Sequence, residues 1–213
     1  MVIVNTVVLV RGQLGHPDND VAVALACFGG GSMVAALLLP RVLDRMPDRT
    51  VMISAAGLLA VLLLALATIL RAGDRDQIWP ATLALWVLMG VGYSAVQTPT
   101  GRLLRRSARA ADRPAVFAAQ FALSHACWLM TYPIAGWLGG SAGLSATAIA
   151  LATITSAGVV TALAMWPASD PEVIEHDHPG LALDDPHLKG APMKRHAHVF
   201  VIDDYHQRWP NDA

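Results

Sequence analysis

Six histidines fall within 31 residues near the end of this chain: His176-Asp-His178, His187, His196-Ala-His198 and His206. Imidazole nitrogen is a borderline-soft donor that suits nickel, cobalt, zinc and copper, and carboxylates lie among these six rings. The pattern therefore reads as a candidate chelating segment. It contains no cysteine and neither C-x-x-C nor H-x-x-x-H spacing, which argues against a rigid structural zinc site. A loose cytosolic metal buffer or sensor is the functional expectation. A solvated tail that happens to be rich in histidine is the competing one.

A second group is spread along apolar stretches. Phe121, His125, Trp128 and Tyr132 follow i, i+4, i+7, i+11, which places them on one face of a helix. The imidazole of His125 could bind a proton or a substrate. The competing reading is a neutral imidazole bonded to a neighbouring helix among packed aromatics. Trp86, Gly90, Tyr93 and Gln97 share a face in the same way, with Pro99 placed to break the helix. Tyr93 and Gln97 could line a pathway, or serve as helix-packing contacts. Asn5, in the leading apolar fragment, is a further pathway candidate. No acidic residue lies inside any long apolar stretch.

The elements that must position these groups follow from composition. The chain has 213 residues, 54 % of them hydrophobic and 15 % charged. Residues 1–166 carry 11 arginines, seven aspartates, no lysine and no glutamate, a net of +4; residues 167–213 carry four basic and nine acidic residues, a net of −5. So sparse a charge over the first 166 residues excludes an ordinary soluble domain. Two cysteines exclude a disulfide scaffold, and no basic excess exists to grip nucleic acid.

A membrane-spanning helix needs about 20 mostly apolar residues. Five stretches qualify, at about 21–40, 51–70, 79–100, 114–138 and 144–166, and residues 1–10 form a partial span. The fold expected is an all-α membrane protein of five full helices plus a partial one. Residues 167–213 form a His- and Asp-rich tail, expected to be largely disordered. Alternate connections put Arg41, Arg45, Arg49, Arg102, Arg105, Arg106, Arg109, Arg113, Lys189, Lys194, Arg195 and Arg208 on one side, against Arg11, Arg71 and Arg75 on the other. This 12 to 3 split makes the first side cytoplasmic.

The stretch Pro40-Arg-Val-Leu-Asp-Arg-Met-Pro-Asp-Arg49 resembles the cytoplasmic loop motif of the major facilitator superfamily, roughly G-x-x-x-D-R-x-G-R-R. Asp44, Arg45 and Arg49 match it; Pro40, Pro47 and Asp48 depart from it. With the Gly-rich helix before it and the second basic loop two helices later, residues 1–166 resemble the C-terminal half of such a transporter, from the end of its seventh helix through its twelfth. The resemblance implies a latch at Asp44, Arg45 and Arg49 that biases the conformational equilibrium. The competing reading is a set of cations that only fixes topology. It further implies a bilayer setting in a bacterial inner or plasma membrane, a small-molecule or ion substrate, and an N-terminal transporter half as partner if encoded separately.

The function expected is secondary-active transport of a small solute by alternating access, in the efflux direction. Two alternatives stand beside it: a nickel- or cobalt-type exporter that uses the His-rich tail, and a truncated, non-transporting remnant. An enzyme is not expected, since no nucleophile with a base appears at membrane depth. No cofactor is expected beyond nickel, cobalt or zinc in the tail.

Overall fold

The computed structural model describes the chain except residues 170, 179, 183, 189–194 and 210–213, and gives the backbone alone at Arg75. Lys189 and Lys194, which enter the charge split, lie outside the described residues. Helix α1 (Val2–Val7) runs on as a wider π-helical segment (Val8–Gln13). Then follow α2 (Asp18–Leu43), α3 (Asp48–Ala72), α4 (Arg75–Gln97), α5 (Thr100–Arg106), α6 (Arg113–Ser141) and α7 (Leu144–Met165). After α7 come strand β1 (Val173–Asp177), a 3-10 turn (Pro186–Leu188) and strand β2 (Arg195–Val199).

The helix ends are written locally. Extended Pro17 and Pro47 precede α2 and α3, and Asp18, Asp20 and Asp48 occupy their first turns, where a carboxylate complements the helix dipole. Gly143, at φ 84°, makes the left-handed turn into α7 that an L side chain resists.

Among the described residues, four segments are long and apolar enough to cross a membrane: Asp18–Leu43, Asp48–Ala72, Asp76–Arg106 and Leu144–Met165. The third covers α4 and α5, which the turn at Thr98-Pro99 separates, so the helix breaks where the proline was expected to break it. The expected fifth span, 114–138, is helical throughout as part of the 29-residue α6, but is not among these four. Gln120, Ser124, His125, Thr131 and Tyr132 interrupt its apolar run. The expected partial span is a short apolar helix, Val2–Gln13.

Packing follows side-chain size. A Cβ on Gly31 of α2 would fall on the Val87 carbonyl oxygen, and one on Gly90 of α4 would fall on the Phe28 carbonyl oxygen. These two glycines let α2 and α4 touch backbone to backbone, the arrangement that drives helix association where lipid is as apolar as leucine. Leu9, Val10, Leu66, Trp86, Met89 and Ala148 form the main core at α1, α3, α4 and α7. Helix α6 stands at the edge, packed on α7 and α1 and exposed along most of its length.

The tail differs from its expected disorder. Strands β1 and β2 pair antiparallel, with His176 opposite His196 and Ile174 opposite His198. Strand alternation turns these four inward, while Glu175, Asp177 and Arg195 face outward. Arg195 Nε bridges Glu175 at 3.0 Å across the strands. The cross-strand partners lie 20 residues apart, a distance at which local sequence pattern carries no pairing signal.

Candidate functional site

The candidate pathway residues separate by burial. Asn5 is buried, and its Nδ2 donates to the Ala135 carbonyl at 3.1 Å, tying α1 to α6. Beside it, fully buried Trp86 donates from Nε1 to Thr6 Oγ1 at 3.0 Å. The structure thus gives Asn5 a helix-joining contact. Tyr93, Gln97, His125, Trp128 and Tyr132 all lie on exposed faces of the bundle. On α6 the rings form a ladder, with centroids 3.8 Å apart for Phe121 and His125, 4.7 Å for His125 and Trp128, and 6.0 Å for Trp128 and Tyr132. His125 Nδ1 lies 2.8 Å from the Phe121 carbonyl, so it carries the hydrogen toward that oxygen, and the residue is exposed.

At the end of the bundle that the arginines mark, the ion pair uses residues that the motif did not select. Asp44 and Arg45 are exposed and enter no ion pair among the described residues. Arg49 donates from Nε to the Trp166 carbonyl at 3.1 Å. The buried carboxylate is Asp48, one of the departures from the family motif, and its partner is Arg102 on α5. Arg102 Nε lies 3.1 Å from both Asp48 oxygens, and its Nη2 also donates to Oδ1. The same Nη2 reaches Glu172 Oε1 of the tail at 2.9 Å. A charge-assisted, forked contact of this kind is the strongest polar link a side chain makes. One clue was present in the sequence: Asp48 directly follows a proline at a helix start, where an acid is favoured. Glu172 and Arg102 lie 70 residues apart, and nothing local couples them.

The tail is docked on this end. Phe200 N donates to the Glu172 carbonyl at 2.8 Å, and Ile202 N donates to the Arg106 carbonyl at 2.9 Å. The Arg106 guanidinium lies over the Trp209 ring at 5.5 Å. A cleft of about 490 Å³ remains beneath, lined by Arg102, Arg105, Arg106, Arg113, Glu172 and Val199 among others.

Five of the six tail histidines bring a nitrogen to one place. One nitrogen from each of His176, His178, His187, His196 and His206 lies within 4.8 Å of the other four. His198 is outside this group of five, its Nδ1 2.8 Å from the Val199 carbonyl, but its ring lies 4.8 Å from that of His176 and its Nε2 is buried without a hydrogen-bond partner among the described residues. Residues 175–178 and 195–198, the 3-10 turn and the 203–206 loop each bring one or more of these rings. Asp203 Oδ1 accepts from the Tyr205 and His206 backbone N–H groups at 2.9 and 2.8 Å and from His206 Nδ1 at 2.8 Å. Burial by itself would raise the Asp203 carboxyl, but these bonds hold it below the usual carboxylate range. Burial, with the crowding of neighbouring imidazoles, pushes His178 down to about 4 and lowers His196. Burial also lowers His206, against the opposing pull of Asp203.

Comparison with known protein families matches residues 1–196 to the Major Facilitator Superfamily. No curated protein and no solved structure matches the chain.

Proposed function

The chain belongs to the major facilitator superfamily, and from that premise we propose that it moves a small solute across the membrane by alternating access, in the export direction. Membrane transport is the activity of this superfamily; the finer reading rests on the bundle's exposed faces. Polar groups at membrane depth are costly against lipid, so they face either water or other helices. The observation that carries the reading is the exposed ladder His125, Trp128 and Tyr132 on α6.

On this proposal α6 lines the pathway together with Tyr93 and Gln97 of α4, and a second bundle faces them across it. Asp48, Arg102 and Glu172 form the cytoplasmic latch, in place of the trio read from the motif. The tail lies in the cytoplasm. Catalysis in the covalent sense is not needed: solute and coupling ion cross by exchange of two bundle states that bind them differently. Neither the metal-exporter reading nor the remnant reading is favoured by the family match.

The test is uptake by everted membrane vesicles from cells that express the whole locus, screened against a panel of cationic and neutral solutes. One or more solutes should accumulate in an energy-dependent way. His125→Ala should reduce the rate about tenfold or more at equal membrane abundance, the cost of losing one specific polar contact. Unchanged transport by His125→Ala would remove α6 from the pathway.

A further inference from the structure

The bonds of the tail histidines fix where their hydrogens are. A carbonyl oxygen only accepts, so His176 Nδ1, 2.9 Å from the Ile174 carbonyl, must carry hydrogen. An ionised carboxylate also only accepts, so His206 Nδ1 carries hydrogen toward Asp203. When such a ring is neutral, its Nε2 is therefore a bare lone pair. Those two Nε2 atoms lie 2.8 Å apart. His206 Nε2 is also 3.2 Å from His178 Nε2, which lies 3.1 Å from His187 Nε2. Lone pairs gathered this closely repel unless a cation sits among them. A proton relieves one pair at a time, whereas a metal ion relieves all of them together.

The spacing suits a coordination shell. With metal–nitrogen bonds of about 2.05 Å, neighbouring ligand nitrogens lie about 2.9 Å apart in an octahedron and about 3.3 Å apart in a tetrahedron. The observed separations of 2.8, 3.1 and 3.2 Å fall within or just below that range. His196 adds a ring whose two nitrogens are buried without a hydrogen-bond partner among the described residues. The Asp203–His206 contact is the outer-shell carboxylate that orients ligating histidines.

We propose that His176, His178, His187, His196 and His206 bind one divalent transition-metal ion of the zinc, nickel, cobalt and copper(II) class. Imidazoles alone select that class: calcium and magnesium require oxygen donors, and copper(I) prefers sulfur. Every ligand comes from the tail, outside the membrane segments, so the ion is a resident ligand and not the cargo of the helices. The ion ties β1 to β2 and to the 203–206 loop. Glu172, next to β1, and Ile202, before that loop, are the residues that grip Arg102 and Arg106. An ion in the site therefore holds the tail against α5. This proposal stands independently of which solute the helices move.

The test uses full-length protein in detergent, stripped with a chelator and titrated with Zn²⁺ and, for its visible absorption bands, Co²⁺. One ion should bind per chain, with Co²⁺ bands of nitrogen coordination. The double variant His178→Ala/His206→Ala should weaken binding about 100-fold or more, and Asp203→Asn about 10- to 100-fold. His16→Ala, remote on the bundle, should leave binding unchanged. Helical circular dichroism reports the bundle in each variant, and His198→Ala, outside the five, should retain the single site with an intact tail. Absence of binding would overturn the proposal. So would several weak ions per chain that survive the double variant, or equal losses from His16→Ala and His178→Ala/His206→Ala.

Discussion

Arg102 on α5 clasps the buried carboxylate of Asp48 at the first turn of α3, with Nε 3.1 Å from both oxygens. The pair joins two helices whose residues stand 54 positions apart. It turns the motif loop into a strut between the third and fifth helices.

Removing one partner of such a pair strands the other. Arg102→Ala leaves Asp48 buried and charged without its cation, at a cost of about 2–3 kcal/mol. This is less than for a fully buried pair, because the Arg102 side chain is 38 % exposed. Glu172→Gln removes a weaker, more exposed contact and should cost under about 1 kcal/mol. Thermal unfolding in detergent should rank them in that order. Equal effects would show that the strut does not depend on the Asp48 contact.

The α2–α4 contact depends on two hydrogen atoms where side chains would otherwise be. Gly31→Leu or Gly90→Leu places carbon atoms on the facing backbone. Overpacking of this kind costs typically about 1–3 kcal/mol, and here rigid backbone cannot yield as a side chain would. Gly29→Leu, whose Cβ meets nothing nearby, is the matched control. Lower yield of folded protein for the first two, with Gly29→Leu near the parent, is the expected outcome in a detergent-solubility assay.

The two buried ties of α1 differ in what their loss leaves behind. Asn5→Leu removes the donor to the Ala135 carbonyl, and Trp86→Phe leaves Thr6 Oγ1 without its donor. Each should destabilise by about 1–3 kcal/mol, Trp86→Phe the more because it also opens a cavity in the main core. Denaturation followed by an α1-specific probe should report both.

The metal-free tail should unfold on acidification. His178 is lowered to about 4 by burial, from the 6.5 of an exposed imidazole, and His196 and His206 are lowered as well. Between those values the unfolded tail binds more protons than the folded one, so stability falls as pH drops from about 6.5 toward 4 and is level above it. Limited proteolysis of chelated protein across that range should cut the tail progressively earlier at lower pH. A flat profile would place these imidazoles in water.

Much of the membrane part is legible in the chain. Apolar runs of the right length, broken by arginine-rich connections, specify helices because backbone groups in lipid must bond within their own segment. The helical ladder on α6 is equally local, a matter of spacing alone. Helix α6 also marks where legibility fades: its polar residues sit inside an apolar run, and sequence alone weighs them only by their average. The motif reading singled out Asp44, whereas the carboxylate of this loop that is paired in the structure is Asp48, because which carboxylate turns inward depends on the distant Arg102.

The tail divides the two sources of information most sharply. Sequence determined which donors are present there: six imidazoles, carboxylates and no thiol, hence the class of ion they could take. It gave no spacing that would bring them together, since the rings come from segments separated by as many as 30 residues. Only the tertiary structure decided which five bring a nitrogen together and that His198 is outside that group. The physical reason is that strand pairing and docking onto α5 are non-local contacts, so the register of His176 against His196 is set by the fold as a whole.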